Sequence, residues 1–229
     1  MQNLKNKVVI ITGSSKGIGE AAVYLFSNEG AKIVVVGRDQ KEVDQVVANI
    51  RKNKKEAIGF AIDIRCSDRV NDMIVQVIKK WKRIDVLVNN AAVITWDKFL
   101  DKDLGHWNDE IDINLKALIQ CSYLVGQQML KQKDGVMVNV SSQAGKVGFS
   151  GLSVYCATKF GVLGFTEAFS QEVEKEGIRV YAVCPGPTKT QMSDFYEKGM
   201  PPEKVAKRIL ETARETLGLK PGDNTEIYS

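Results

Sequence analysis

The stretch Lys7-Val8-Val9-Ile10-Ile11-Thr12-Gly13-Ser14-Ser15-Lys16-Gly17-Ile18-Gly19 decides the fold. Its apolar, β-branched half predicts a strand covered on both faces, the kind found in parallel sheets. Its glycine half predicts a tight turn. Ile18, Ala21, Ala22, Leu25 and Phe26 then recur at three- and four-residue spacing, as one helix face does, and Gly30 stands where a C-terminal cap belongs. A turn poor in side chains brings backbone N–H groups and a helix N-terminus to a phosphate. The stretch therefore predicts nucleotide binding, with Gly13, Ser15, Lys16, Gly17, Ile18 and Gly19 around a pyrophosphate. The spacing is G-x-x-x-G-x-G, not the G-x-G-x-x-G of the commoner dinucleotide fingerprint.

Outward from this start the same alternation continues. Short apolar runs occur at Lys32–Gly37, Ala57–Ile62, Ile84–Asn89, Gly135–Ser141 and Ile178–Cys184, with amphipathic segments between them. Asp39-Gln40-Lys41-Glu42 has the form of a capping box opening a helix whose inner face is Val43, Val46, Val47 and Ile50. Ser67 is placed to cap a third helix carrying Val70, Ile74, Val77 and Ile78. The rhythm predicts an α/β fold, a doubly wound parallel sheet of the Rossmann type. With no low-complexity linker and no short repeat, residues 1–229 are expected to form a single dinucleotide-binding domain. The pattern loosens at Pro185–Pro202, which holds four of the five prolines. A substrate loop, able to act as a lid, is expected at about 187–203.

Composition removes several classes of function. The 44% apolar and 26% charged fractions are those of a globular chain, not a disordered one. Apolar runs of four residues, Val8–Ile11 and Ile33–Val36, fall far short of the roughly 20 a membrane span needs. The net charge of +4 is mild, and its basic clusters, Lys52 to Lys55 and Lys79 to Arg83, fall where helix ends are expected, so no nucleic-acid partner is predicted. Met1-Gln2-Asn3-Leu4-Lys5 lacks the apolar stretch of a secretory signal, and Cys66, Cys121, Cys156 and Cys184 are too scattered for a metal site. Free thiols in a reducing cytoplasm are expected. His106 is the sole histidine, which leaves no material for a histidine-based relay or a zinc centre; no metal is expected.

The second strand ends at Gly37-Arg38. In dinucleotide folds an acid there holds the adenosine ribose, whereas an arginine accommodates a 2′-phosphate. Position 37 carries no acid, and Arg38 and Lys16 converge on one corner, which favours NADP(H) over NAD(H). Asp39 is assigned to the helix cap. At the other end, Tyr155-Cys156-Ala157-Thr158-Lys159 puts a phenol and an ammonium on one helix face, thirteen residues after Ser142 at the end of the fifth strand. Carboxyl ends of strands are where such sheets bind ligands. Asn114 stands inside a helical stretch that disfavours it.

Together Thr12-Gly13-x-x-x-Gly17-x-Gly19, Asp63, Asn89-Asn90-Ala91, Asn114, Ser142, Tyr155-x-x-x-Lys159 and Pro185-Gly186 make the chain resemble the short single-domain branch of the short-chain dehydrogenase/reductase family. The resemblance implies that Tyr155 is the general acid/base, Lys159 its activator and a ribose anchor, and Ser142 the donor to the substrate carbonyl. It implies that Asn114 kinks its helix and holds a water in a relay to Lys159. Asp63 and Ile64 would meet the adenine, and Asn90 would underlie the cofactor. Pro185, Gly186, Thr188 and Thr190 would line the nicotinamide end. Homodimers or homotetramers are implied, through helices near Asn114–Leu130 and Tyr155–Glu174.

The chemistry is self-consistent. An ordinary tyrosine ionises near about 10, so work near neutrality needs roughly 4 kcal/mol. One ammonium about 5 Å away at an effective dielectric near 20 supplies about 3 kcal/mol, and the positive nicotinamide of an oxidised cofactor is expected to supply the rest. The expected reaction joins a ketone and a secondary alcohol, with Tyr155 passing the proton and Ser142 meeting the developing oxyanion. The expected substrate pocket has Ile94, Trp96, Gln143, Val147, Phe149, Met192, Phe195 and Tyr196 as walls, with Lys146 solvated. Three departures from the family pattern stand out: Ala92 for a glycine, Thr188 for a Val or Ile, and a short C-terminus whose last strand is either Thr225–Tyr228 or missing. Two alternatives are a 3-oxoacyl-carrier-protein reductase and a non-catalytic module sensing NADP(H). Gly148–Val154 lacks the Asn- and Gln-bearing segment of the first, and the complete Asn114, Ser142, Tyr155 and Lys159 set argues against the second.

Overall fold

The computed structural model describes residues 3–101, 104–193 and 199–228, leaving aside the side chains of Leu104, His106 and Ser193. The His106 side chain and the wall positions expected for Phe195 and Tyr196 lie outside what is described.

The elements follow the expected alternation: β1 (Val8–Thr12), α1 (Gly17–Asn28), β2 (Lys32–Gly37), α2 (Gln40–Lys52), β3 (Ala57–Ala61), α3 (Ser67–Trp81) and β4 (Val86–Asn89). The second half runs α4 (Leu104–Ile111), α5 (Ala117–Gln132), β5 (Gly135–Val140), α6 (Ser153–Val173), β6 (Ile178–Pro185), α7 (Pro202–Ala213) and β7 (Asn224–Ile227). One sheet results, in the order β3-β2-β1-β4-β5-β6-β7, and every pair is parallel. A last strand is therefore present, one residue earlier than the sequence suggested.

Strand periodicity sorts the core into two layers. Val9 and Ile11 of β1 face Ala22, Val23 and Phe26 of α1 and Ile209 of α7. Val8 and Ile10 face the opposite layer, Val70, Ile74 and Val77 of α3 and Val125 and Met129 of α5. Each such Val, Ile, Phe or Met side chain, fully removed from water, contributes about 1.5–3 kcal/mol. The edge strand β3 is only half-buried over most of its length. Reversal of strand order between β1 and β4 opens a crevice at their carboxyl ends, the place where this architecture binds ligands.

Three local expectations are corrected. Ser67 is the first helical residue of α3 and not its cap; Cys66 holds that position, without a side-chain hydrogen bond. Only half of the capping box forms: Asp39 accepts from the Glu42 N–H, but the Glu42 carboxylate reaches elsewhere. Lys146 is not simply solvated, because its Nζ lies 3.2 Å from Glu226 of β7.

Candidate active site

A cleft of about 460 Å³ runs along the carboxyl edge of the sheet. It is lined by Gly13, Ser15, Lys16, Gly17, Ile18, Arg38, Asp63, Ile64, Asn90, Ser142, Tyr155, Lys159, Pro185, Gly186, Thr188 and Thr190. The fold thus brings together both clusters that the sequence separates by more than a hundred residues. Of the proposed cofactor positions only Gly19 is off the cleft wall, and it acts from beneath.

At one end is the glycine turn. Gly13 has φ +63°, and a Cβ there would lie 2.7 Å from the Ala91 Cα. A Cβ on Gly19 would meet the Gly13 carbonyl at 2.3 Å and the Asn90 Nδ2 at 2.6 Å. Neither position tolerates a side chain. Asn90 holds the turn by donating Nδ2 to the carbonyls of Thr12 and Gly13, both at 3.0 Å. The Thr12 hydroxyl accepts the N–H groups of Asn90 and Ala91 at 3.0 and 3.1 Å. The result is a rigid concavity, open to a ligand, at the N-terminus of α1. That shape fits a pyrophosphate.

The adenosine corner differs from expectation in its charge. Lys16 is not a free cation: its Nζ lies 3.4 Å from Glu42 Oε1, while the Ser15 hydroxyl donates to Glu42 Oε2 at 2.9 Å. Asp63 accepts from Arg65 through Nη2 at 2.6 Å, and Arg65 Nη1 reaches Asp109 of α4 at 2.6 Å. The Arg65 guanidinium holds the Asp63 carboxyl below its ordinary range. Sequence reading missed both Glu42 and Arg65. The capping-box pattern explained Glu42 too early, and nothing local marks Arg65.

At the other end, Ser142 stands just past β5. Its hydroxyl oxygen accepts the Ala144 N–H at 3.1 Å, capping a one-turn 3₁₀ helix, Gln143–Gly145. That bond uses one acceptor lone pair and leaves the O–H available as a donor. Tyr155 and Lys159 lie in the first turns of α6, and the Ser141 hydroxyl ties α6 to the strand by donating to the Lys159 carbonyl at 2.8 Å. Lys159 is 2% exposed; its Nζ donates to the Val140 carbonyl at 2.9 Å and sits 5.5 Å from the Tyr155 ring centroid. No carboxylate pairs with it among the described residues, and burial pushes its ammonium down to about 8. Cys156, behind Tyr155, is buried and accepts the Phe149 N–H.

Asn114 occurs in a π-helical turn, Asp112–Lys116, between α4 and α5. Such turns interrupt a helix at functional sites. Its amide grips the backbone of Val93 on both sides, Oδ1 accepting at 2.7 Å and Nδ2 donating at 2.8 Å, and Nδ2 also lies 3.4 Å from the Thr158 hydroxyl of α6. Buried Glu110 does the same for the Thr95 N–H at 2.7 Å. The chain after β4 is therefore held to the cleft by two side chains of the next helix.

The end of the cleft expected to take the substrate is apolar. Ile94, Phe149 and Met192 line it with Gln143 as expected, joined by Ile113 and Leu152. Trp96 and Val147 do not line the cleft; both are about half exposed, and the Trp96 ring lies against Gly151. The base of the 187–203 segment is pinned by the Met200 N–H to the Pro187 carbonyl at 2.9 Å and the Lys189 N–H to the Met200 carbonyl at 2.8 Å. Among the described residues, no helix is long and apolar enough to cross a membrane, and no group of three His, Cys, Asp or Glu side chains is placed to hold a metal ion.

Comparison with known proteins agrees with this geometry. Residues 7–200 match the short chain dehydrogenase family profile. A 3-oxoacyl-acyl-carrier-protein reductase of Synechocystis is 38% identical over 195 residues, covering 85% of this chain and 79% of that protein. One from Thermotoga maritima is 32% identical over 216 residues, 94% of this chain and 84% of its own. An uncharacterized oxidoreductase of Staphylococcus saprophyticus is 34% identical, over 91% and 90% of the two chains. Among solved structures, that of gox2181 superposes with a TM-score of 0.94 at 25% identity, over 99% of this chain and 95% of the other. A short-chain dehydrogenase/reductase from Mycobacterium marinum gives 0.93 at 24%, which speaks to the fold. The glycine turn, the Tyr155–Lys159 pair and the sheet order thus have one common explanation: this chain belongs to the short-chain dehydrogenase/reductase family and is an NAD(P)-dependent oxidoreductase.

Proposed function

We propose that the protein is an NADP(H)-dependent carbonyl reductase or alcohol dehydrogenase, one domain over residues 1–229 with its substrate segment at 187–203. The observation that carries this reading is Lys159: an amine buried with no counter-ion among the described residues, 5.5 Å from the Tyr155 ring, in one cleft with Ser142 and the glycine turn. Burying a cation unpaired is costly, and placing it beside a phenol gives that expense a purpose.

The bound nicotinamide supplies or takes up the hydride; the rest falls to the protein. Gly13, Ser15, Gly17, Ile18 and Gly19 seat the pyrophosphate, Asn90 keeps that turn rigid, and Asp63 and Ile64 flank the adenine. Pro185, Gly186, Thr188 and Thr190 confine the nicotinamide end. Tyr155 passes a proton to or from the substrate oxygen at its hydroxyl. Lys159 lowers the work of that transfer by its charge and anchors the ribose. Ser142 donates its free hydroxyl proton to the carbonyl oxygen as negative charge grows there. Asn114 acts as a positioning residue, fixing Val93 and the π turn, from which a bound water can relay protons to Lys159.

For the cofactor, Arg38 supports NADP(H) by offering a fork to a 2′-phosphate, and position 37 has no acid to hold a free ribose hydroxyl. The apolar substrate end supports a neutral, largely hydrophobic carbonyl compound. A second reading, reduction of 3-oxoacyl groups on a carrier protein, draws on the names of the Synechocystis and Thermotoga relatives. Exposed Ile119 and Tyr123 on α5 and Phe160 on α6 support pairing of these helices between two copies. Four unpaired thiols suit a reducing cytoplasm.

Following NADPH and NADH absorbance with ketones, diketones and acetoacetyl thioesters tests both readings. Preferential turnover of simple ketones supports the first, and turnover confined to 3-oxoacyl thioesters supports the second. No oxidation of either cofactor with any of them would contradict both.

A further inference from the structure

The adenosine corner holds a carboxylate that the dinucleotide pattern does not call for. In many folds of this architecture the ribose-binding acid stands at the end of the second strand. Here that place is closed. A Cβ on Gly37 would lie 2.8 Å from the Ser15 Oγ and 3.0 Å from the Val43 Cγ2, so no side chain fits without displacing the turn. Asp39, the next acid along, spends its Oδ1 on the Glu42 N–H at 3.0 Å as the α2 cap.

Glu42, in the first turn of α2, fills the vacated role from another direction. It lines the cleft together with Ser15, Lys16, Gly37 and Arg38. Its two oxygens are divided between the Ser15 hydroxyl at 2.9 Å and the Lys16 ammonium at 3.4 Å. These are two groups of the turn that a 2′-phosphate would otherwise recruit. The pair is half exposed, with Lys16 at 54% and Glu42 at 39%, so Lys16 can change partners at little cost.

We infer that Glu42 is the specificity-determining residue of the adenosine corner, a carboxylate that competes with a 2′-phosphate for Lys16 and Ser15 and repels it. The inference rests on reading this cleft as the cofactor site. Its consequence is that preference for NADP(H) depends on Arg38 and is held moderate by Glu42, so that NAD(H) is also accepted. A ribose bearing a free 2′-hydroxyl meets an acceptor in Glu42, whereas a phosphate meets a like charge.

The test uses the full chain and two fragments lacking nicotinamide, adenosine 2′,5′-bisphosphate and 5′-AMP, whose affinities are measured by calorimetry at fixed salt. The selectivity is the ratio of their association constants. Glu42→Gln keeps the shape and the α2 cap but removes the charge, and should raise that ratio about tenfold. Arg38→Gln should lower it by a similar factor. A ratio in Glu42→Gln within twofold of the parent, or below it, overturns the inference. Failure of the NADP(H) reading looks different: Arg38→Gln would leave the ratio unchanged and the parent would prefer 5′-AMP, whatever Glu42→Gln does.

Discussion

Two buried ionisable groups stand at opposite edges of the sheet, and their surroundings are opposite too. At the amino edge, the Asp85 side chain is 2% exposed. It accepts from the Val8 N–H at 2.8 Å, from Lys7 Nζ at 2.9 Å and from both Nε and Nη2 of Arg83. Asp134, Arg179, Glu215 and Tyr181 continue the network beside it. Burial works to raise the Asp85 carboxyl, but Arg83, the Val8 N–H and Lys7 together outweigh it and hold it below its usual range. At the carboxyl edge, Lys159 is as deeply buried, finds one backbone carbonyl, and is pushed down to about 8. The same desolvation acts on both; partners decide the outcome. One edge of the molecule surrounds a buried charge with partners, and the other gives a buried amine, among the described residues, one backbone carbonyl and a place beside the Tyr155 ring.

The contrast is sharpened first at Tyr155. Tyr155→Phe should lower kcat by about 10²- to 10⁴-fold, the usual worth of a positioned acid/base, with cofactor binding retained by fluorescence titration. Removal of the amino-edge charge has the complementary effect. Asp85→Asn removes the buried negative charge that faces Arg83 and Lys7, leaving them one amide oxygen and the more distant Asp134, and should cost about 2 kcal/mol in urea unfolding, with turnover per folded molecule unchanged. Because the folded carboxyl lies below its ordinary value of 3.8, its contribution is present at neutral pH and lost as pH falls through the folded value. The gap between parent and variant should therefore close in strong acid. The smallest effect belongs to a surface pair near the cleft. Glu226→Gln, which frees Lys146, should change stability by no more than about 0.5 kcal/mol.

Much of this was legible in the sequence, for identifiable reasons. Strands such as Ile33–Val36 are apolar on both faces, so their burial follows from local composition. The glycine turn and the Tyr155–Lys159 spacing are short patterns whose geometry is fixed within one turn of chain. What stayed hidden depends on contacts between distant segments. Glu42 reaches Ser15 across 27 positions, and Arg65 reaches Asp109 across 44. The exposure of Trp96 and Val147 likewise depends on how the loops after β4 and β5 settle, which residue type does not report. Asn114 lies between these cases: its misfit in a helix was visible, its partner Val93 was not.

The central claim, that Lys159 is held at the expense of stability for the sake of Tyr155, is tested most directly by Lys159→Met, studied without cofactor by urea unfolding across pH and with cofactor by turnover. The buried amine should be replaced by a thioether that needs no partner, so the variant should gain about 1–2 kcal/mol at neutral pH and lose nearly all turnover. Because the folded value near 8 lies below the ordinary 10.5, the parent should recover that difference as pH rises between the two, the range in which the unfolded chain binds the extra proton. A variant that is less stable than the parent at neutral pH, shows no recovery of the parent between those pH values, and still turns over would contradict the account.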